Sequence, residues 1–442
     1  MEVVCHGTKK ENDLKHRLRA VFCDHLSILR GKYLPHSKIG DDETRFCRST
    51  FGVHYDKDLL PAPGAMMMEG LPDMELRWSE SDIRDCWEAR TKIVLGDLYD
   101  TGGTPLPMCP RGALKRAVAA WEAEGLTPKV GIELEAFAFI QDADGKLVPY
   151  DSIGGVVYGT GPFTDPRGFN DAIWDVAEEL GFKLDMITAE YDSPQFEYTL
   201  TFDDALKAVD DIILFRQLAR EVALGEGVIL TFMPKPIVEA GGCGMHINFS
   251  FTGKDGDNAL STDGKGGPEH LNDLARGCLA GLLHHHKGLA GLLAPTASSY
   301  DRLQPGSLSG HWQNWGGDHR NVTTRISSEG GAKARLEHRM ADASSNPYTA
   351  VAAVLQAALL GVKNGYDLQP METGDGFVET DATIGAAADL KSAIADLTAD
   401  TALTEAVGSG LVENHIFMKE AEVEKTENLT PEALRDFYIY YI

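Results

Sequence analysis

Residues 130–139 read VGIELEAFAF, and place Glu133 and Glu135 one residue apart in a run that otherwise reads as a buried strand. Alternate residues of a strand share a face. One face is therefore Ile132, Leu134, Ala136 and Ala138, while the other carries Glu133 and Glu135 ahead of Phe137 and Phe139. Clustered carboxylates raise each other's pKa unless a cation neutralises them. The rest of the chain has to supply the reason for the pair.

Three other segments show the same unusual polarity. In GMHINFSF (244–251), His246, Asn248 and Ser250 share one face against Met245, Ile247, Phe249 and Phe251. In ARLEHRM (334–340), Arg335, Glu337 and Arg339 oppose Leu336, His338 and Met340. AEYDSPQFEYTL (189–200) carries Glu190 and Glu197. Their odd separation puts them on opposite faces of one regular strand, but Ser193-Pro194 interrupts it, which lets both point the same way. A solvated strand face favours Lys, Thr and mixed charge, whereas these positions hold Glu, His, Arg and Asn. Five Glu and one His are hard-to-borderline ligands that suit Mg²⁺ or Mn²⁺ and not a thiolate-bound metal. Arg302, Arg320, Arg325, Arg335 and Arg339 follow closely, and Arg forks bind carboxylate and phosphate. Metal ligands plus arginines point to a substrate rich in negative oxygens, such as a nucleotide polyphosphate. No G-x-x-x-x-G-K-[ST] loop and no G-x-G-x-x-G opening a helix is present, so a sheet face is expected to hold the nucleotide.

The chain has 442 residues, 43 % of them hydrophobic, which is a globular composition with room for two or three domains. Its formal net charge of -26 disfavours nucleic acid and anionic membrane as partners. No apolar stretch is long enough to span a bilayer, and MEVVCHGTKKENDLKHRLRA has no apolar core of signal-peptide length. Cysteines 5, 23, 47, 86, 109, 243 and 278 form no Cys-x-x-Cys pair, as expected of free thiols in a reducing cytoplasm.

Helices and strands mix without strict βαβ alternation, so the fold class is α+β with a largely antiparallel sheet. KHRLRAVFCDHLSIL reads as a helix end running into a strand, and TKIVLGDLYD as a strand. The Gly/Pro cluster at about 100–110 is the expected boundary between an N-terminal domain (1–105) and a larger one (106–442). Helices are predicted in PRGALKRAVAAWEAEG, FNDAIWDVAEELG, DDALKAVDDIILFRQLAREVALGEG, LNDLARGCLAGLLHHHKGLAGLLAP and PYTAVAAVLQAALLGVKNG. His284, His285 and His286 point in three directions on a helix and read as a partly exposed polar tract, not a metal site. VVYGTGPFTDPRG (156–168) lacks phosphate-loop spacing and reads as a surface loop. Cys243 has no base partner and reads as packing.

GIELEAF, AEYDSPQFEY, GCGMHINFS, SSYDRLQPG, WGGDHRNVTTRI and ARLEHRMADASSNPY, in this order, resemble the motifs of the glutamine synthetase family. They span roughly 130–365, and the N-terminal part fits that family's small β-grasp domain more loosely. The resemblance implies a catalytic domain that binds two divalent metals, Mg²⁺ or Mn²⁺, between ATP and L-glutamate. One metal would take Glu135, Glu190 and Glu197, the other Glu133, His246 and Glu337. Alternate carboxylates on one strand would then serve two neighbouring cations. Glu135, Arg302, Arg339 and backbone near Gly242 would hold glutamate. Arg320, Arg325 and Arg335 would line the phosphates, with Arg320 closest to the transferred group, and Asn248 and Ser250 would lie near the nucleotide. Arg320, Glu337 and Arg302 would form the catalytic set. The resemblance also implies two stacked hexameric rings, with residues 51–58 of one subunit serving a neighbour's site.

The chain departs from the family pattern at the flap. Ammonia-using members carry a Glu shortly after Arg-Leu-x-Pro-Gly; here the stretch is DRLQPGSLSGHW, with Leu308 at that position and no acid before Asp318. An apolar Leu308, with Trp312 and Trp315 nearby in sequence, favours an alkyl group on the nitrogen, and aromatic faces hold organic ammonium ions. The expected activity is therefore a γ-glutamyl–amine ligase, with methylamine as the favoured amine. A polyamine ligase, an ammonia-using synthetase and a catalytically inactive binding scaffold are the alternatives.

Overall fold

The computed structural model describes residues 16–261 and 263–442. Residues 1–15 of the opening segment read for a leader, Cys5 among them, lie outside the described residues. Mixed helix and sheet content confirms the α+β class. A ten-stranded open sheet dominates, ordered Leu184–Ala189, Gln195–Leu200, Thr127–Gln141, Met245–Thr252, Leu336–His338, Thr324–Ile326 and Trp315–Gly317, with three short strands paired to Thr127–Gln141. All its pairings are antiparallel except that of Trp315–Gly317 with Thr324–Ile326.

Residues 16–100 build two smaller sheets, one of four strands and one of three. The helix end expected before Val21 is instead strand Arg17–Cys23, which turns at Asp24–Ile28 into strand Leu29–Leu34. Asp24 accounts for the turn: its Oδ1 accepts from the backbone of Leu26 and Ile28, both at 2.9 Å. TKIVLGDLYD forms two strands in different sheets, broken at Gly96. A Cβ at Gly96 would lie 2.6 Å from the Arg77 carbonyl, so only glycine fits that switch.

The apolar face of the long strand is closed as its alternation requires: Ile132, Leu134, Ala136 and Ala138 are at most 3 % exposed. Helices Pro110–Ala123 and Ala205–Gly225 pack against this strand. Helix Pro347–Asn364 starts at Asn346, whose side chain accepts from Tyr348 and Thr349 N–H. Trp121 is fully buried, its ring 4.1 Å from that of Phe251 and its indole N–H donating to the Leu355 carbonyl at 3.0 Å. Trp121→Ala should cost about 3–5 kcal/mol, seen as a lower denaturant midpoint at unchanged slope.

The helix predicted through 271–295 is two helices, Asp273–His284 and His286–Leu293, jointed at His285. His284 is exposed as expected, but His285 and His286 are buried, because the second helix inserts into the core. His285 Nδ1 lies 2.8 Å from Asp400 Oδ2, and His286 Nε2 2.9 Å from the His311 carbonyl. Residues 51–58 pack on helix Ser409–Thr426 of this same chain, with Asn414 donating to the Phe51 carbonyl at 3.2 Å and Lys425 bonded to Asp56 and Asp58. Among the described residues, no helix is long and apolar enough to cross a membrane.

Candidate active site

Register assembles the site. Glu135 pairs with Glu197 on one neighbouring strand, and Glu133 pairs with His246 on the other. Beyond His246, Asn248 stands opposite Glu337, which stands opposite Arg325. One polar row thus crosses five strands. Glu190 joins it from the turn between Leu184–Ala189 and Gln195–Leu200, where Glu190 N–H donates to the Gln195 carbonyl at 2.9 Å. The segment expected as one broken strand is a hairpin, which brings Glu190 and Glu197 to the same side.

Two groups of potential metal ligands result: Glu135 with Glu190 and Glu197, and Glu133 with Glu197 and His246, the donor atoms of each lying within 4.8 Å of one another. The first is the triad expected from the sequence. In the second, Glu197 stands where Glu337 was expected. Glu337 Oε1 lies 3.9 Å from His246 Nδ1, while its oxygens are engaged by Arg339 and, at 3.1 Å, Arg325.

Burial and the negative charges of Glu133, Glu135 and Glu190 push the Glu197 carboxyl up to about 9. Burial, then the Glu135 charge, raises Glu190 as well. Burial also acts upward on Glu133, but the hydrogen bond and charge of His246 (Nδ1–Oε2, 2.9 Å) outweigh it and hold Glu133 well below the usual range. Among the described residues, neither Glu190 nor Glu197 hydrogen-bonds to another side chain. Oxygen ligands raised by burial and mutual repulsion fit a divalent cation, which would offset both costs.

Around this floor stand the arginines. Arg302 is buried, donating to the carbonyls of Met340 (3.0 Å) and Arg339 (3.2 Å). Arg339 and Arg325 are anchored by Glu337, yet the Nε atom of each is buried without a partner among the described residues. Arg335 donates to Asn248 Oδ1 at 3.2 Å, and Asn248 donates to Glu133 Oε1 at 3.0 Å. Ser250, half-buried, continues that face. Arg320 is exposed and hydrogen-bonds to no described residue, though its charge acts on Glu190.

The glycines of the 241–244 loop are steric requirements. A Cβ on Gly242 would sit 2.6 Å from Arg302 Cγ, and one on Gly244 would sit 2.8 Å from Arg302 Nη2 and 3.0 Å from His246 Nε2. Gly244 N–H donates to Glu135 Oε2 at 2.6 Å.

At the flap, Leu308 is 46 % exposed and Trp312 is half-buried. Trp315 does not join them. It is a core residue whose indole N–H donates to the Gln369 carbonyl at 2.8 Å, because the first strand of the parallel pair turns its side chain inward. Sequence reasoning missed Gln195 and Glu372. Gln195 sits two residues before Glu197 on the same face, a signal the alternation rule could have used. Glu372 receives Asn314 at 2.9 Å and Thr380 at 2.6 Å and so ties the 372–381 loop to the strand region behind the arginines; nothing in its local sequence marks it.

Residues 107–438 match the model of the glutamine synthetase catalytic domain. Relatives of that kind are carbon–nitrogen ligases, and that is the class of enzyme defined here. The chain belongs to the glutamine synthetase family, whose members use ATP, glutamate and divalent metals. It is 33 % identical over 399 residues to the glutamine synthetase of Thermococcus kodakarensis, covering 85 % of this chain and 83 % of that one. To the glutamine synthetase of Methanosarcina mazei it is 30 % identical over 423 residues, covering 93 % and 92 %. Among solved structures it superposes on a GmaS–ADP complex with a TM-score of 0.81, 26 % identity and coverage of 94 % and 95 %. A glutamine synthase homologue gives 0.83, 25 % and coverage of 97 % and 99 %. GmaS is a γ-glutamylmethylamide synthetase.

Proposed function

We propose that this enzyme joins L-glutamate to a small primary amine, methylamine foremost, at the expense of ATP and through γ-glutamyl phosphate. The observation that carries the amine choice is the flap: Leu308 is half-exposed, and no acidic residue lies between Gly306 and Asp318 to select a bare ammonium ion. The likeness to GmaS supports the same reading. The names of the curated relatives favour a second one, ammonia as the amine.

In this reading Glu133, Glu135, Glu190, Glu197, His246 and Glu337 hold Mg²⁺ or Mn²⁺, two or more per site. When bound, the metals neutralise charge on the phosphates and the γ-carboxylate. Arg302 and Arg339, with Glu135 and the backbone at Gly242, orient glutamate so that its γ-carboxylate faces the γ-phosphorus. Attack forms the new carboxyl–phosphorus bond and releases ADP. Arg320, Arg325 and Arg335 hold the phosphates, Arg320 nearest the transferred group, where electrostatics and positioning do most of the catalytic work. The spare Nε donors of Arg325 and Arg339 suit anionic oxygens. Asn248 and Ser250 border the nucleotide. A neutral amine then attacks the acyl carbon, phosphate leaves, and the nitrogen loses a proton. Leu308 and Trp312 wall the amine subsite. Residues 1–105 form the N-terminal domain and 106–442 the catalytic one, in a dodecamer of two hexameric rings. A cytoplasmic location is consistent with the six described cysteines, all free thiols.

Phosphate release from ATP with glutamate, comparing ammonium, methylamine, ethylamine and putrescine by kcat/KM, tests this. Methylamine or ethylamine should lead ammonium by at least about tenfold. Leu308→Glu should narrow or reverse that ratio by about tenfold, since one charged contact is worth roughly 1–3 kcal/mol. Preference for ammonium in the wild type sinks the alkylamine reading, preference for putrescine moves the enzyme to polyamines, and no turnover with any amine leaves a binding scaffold.

A further inference from the structure

Gln195 touches three parts of the site and is 5 % exposed. Its Nε2 donates to Glu135 Oε2 at 3.2 Å and to the Gly242 carbonyl at 3.0 Å. Both partners are acceptors only, so the amide nitrogen must face them. Its carbonyl accepts from Glu190 N–H, and its own N–H donates to the Asp192 carbonyl, each at 2.9 Å. From the same turn, the Asp192 carboxylate accepts from Gly241 N–H. The 241–244 loop is thereby held from the hairpin side by Asp192 and Gln195, and from the other by Arg302 and His246, with no room at Gly242 or Gly244 for a side chain. A carboxylate at position 195 would lose both donated bonds and set another charge against Glu135. Glutamine supplies the length and the donors without the charge.

We infer that Gln195 and Asp192 are positioning residues that lock the glutamate-binding loop to the carboxylate cluster, so that the loop at Gly242 and the ligand geometry of Glu135 are set together. This rests on the reading of that loop as the glutamate site. The coupling is reciprocal: whatever orders the loop also orders Glu135, and the reverse. The consequence is selective. The clamp touches no residue assigned to the nucleotide, so once metal is saturating its loss must fall on glutamate, not on ATP.

The test compares wild type with Gln195→Ala, Asp192→Ala and Asp192→Asn. Three readouts are taken: Mn²⁺ affinity by calorimetry, the rise in melting temperature produced by L-glutamate in the presence of Mn²⁺, and the KM values for glutamate and ATP. Gln195→Ala should raise KM for glutamate by about tenfold or more, weaken Mn²⁺ binding by a few-fold to tenfold, and abolish most of the glutamate-induced melting shift. At saturating Mn²⁺, KM for ATP should stay within about twofold. Asp192→Ala should do the same more weakly, and Asp192→Asn, which keeps an acceptor for Gly241, should behave as wild type. The clamp is overturned if Gln195→Ala leaves the glutamate terms within twofold, or raises both KM values alike. Should Gln195→Ala fail to fold, the contrast between Asp192→Ala and Asp192→Asn decides: equal behaviour overturns the proposal. Failure of the underlying reading looks different, since the wild type itself would then show neither turnover nor a glutamate shift.

Discussion

Glu197→Gln should lower kcat/KM by about 10²–10³-fold and, in the same protein, raise the melting temperature of the metal-free form at pH 8. The two effects have one cause. Glu197 is the shared member of both ligand groups, and burial with three carboxylate neighbours pushes its carboxyl up to about 9. An unfolded chain ionises the same group at its ordinary value, near 4.5. Between those values the folded, metal-free protein binds more protons than the unfolded one. Its contribution to stability is therefore complete below about pH 4.5 and is lost as pH rises towards about 9. Each unit of difference is worth about 1.4 kcal/mol, so the total is several kcal/mol. Melting temperatures after chelation should fall from pH 7.5 to 9 for wild type and stay flatter for Glu197→Gln. Added Mn²⁺ should restore wild type most at the alkaline end and help the variant far less. The buried histidines act with the opposite sign at the acid end: burial lowers His286 and His415 to about 4 and His338 to about 3, against 6.5 in the unfolded chain, so they add stability as pH rises to about 7 and are silent above it. A wild-type melting temperature that is flat from pH 7.5 to 9 without metal would contradict the account.

Arg320→Ala should lower kcat by about 10²–10³-fold, as loss of a positioned cation at a transferring phosphoryl group does, with the melting temperature shifted by no more than about 1 °C. Arg320 hydrogen-bonds to no described residue and is exposed, so the fold loses nothing when it is cut back. Arg302 and Arg339 are less clean probes, because both hold backbone or Glu337 in place and their removal strands buried partners. Phosphate release with saturating amine, beside a melting curve, separates the two effects. A kcat within threefold of wild type would remove Arg320 from the transfer step.

Much of the site was legible in one dimension. The period-two alternation of VGIELEAFAF and GMHINFSF puts Glu133, Glu135, His246 and Asn248 on one face by the geometry of a strand alone, and the structure keeps that face. The helix from Pro110 was equally local, with proline at its first position and Gly125 past its end at φ 80°. What local pattern could not supply was pairing between distant segments. That Glu197 meets Glu135 depends on the hairpin at Glu190–Gln195 and on the register of its second strand, and a slip of one residue would turn Glu197 to the other face. The same dependence explains why Glu197 enters the second ligand group beside His246 and why Gln195 went unnoticed. His285 and His286 read as polar surface because their type says so, yet the helix they start is driven into the core by Leu289, Leu292 and Leu293 and finds them partners there. Trp315 was placed by proximity in sequence and removed by the direction of its strand.

The sequence by itself thus determined the residue types of the site, the faces they share, the α+β class and the family, because alternation and helical periodicity are short-range consequences of backbone geometry. The tertiary structure decided which carboxylates come close enough to share a cation, which arginines keep a donor without a partner among the described residues, and how Gln195 and Asp192 bind the glycine loop to Glu135. Those are matters of register and packing between segments far apart in the chain, where the free energy of burial, not the local pattern, chooses the partner.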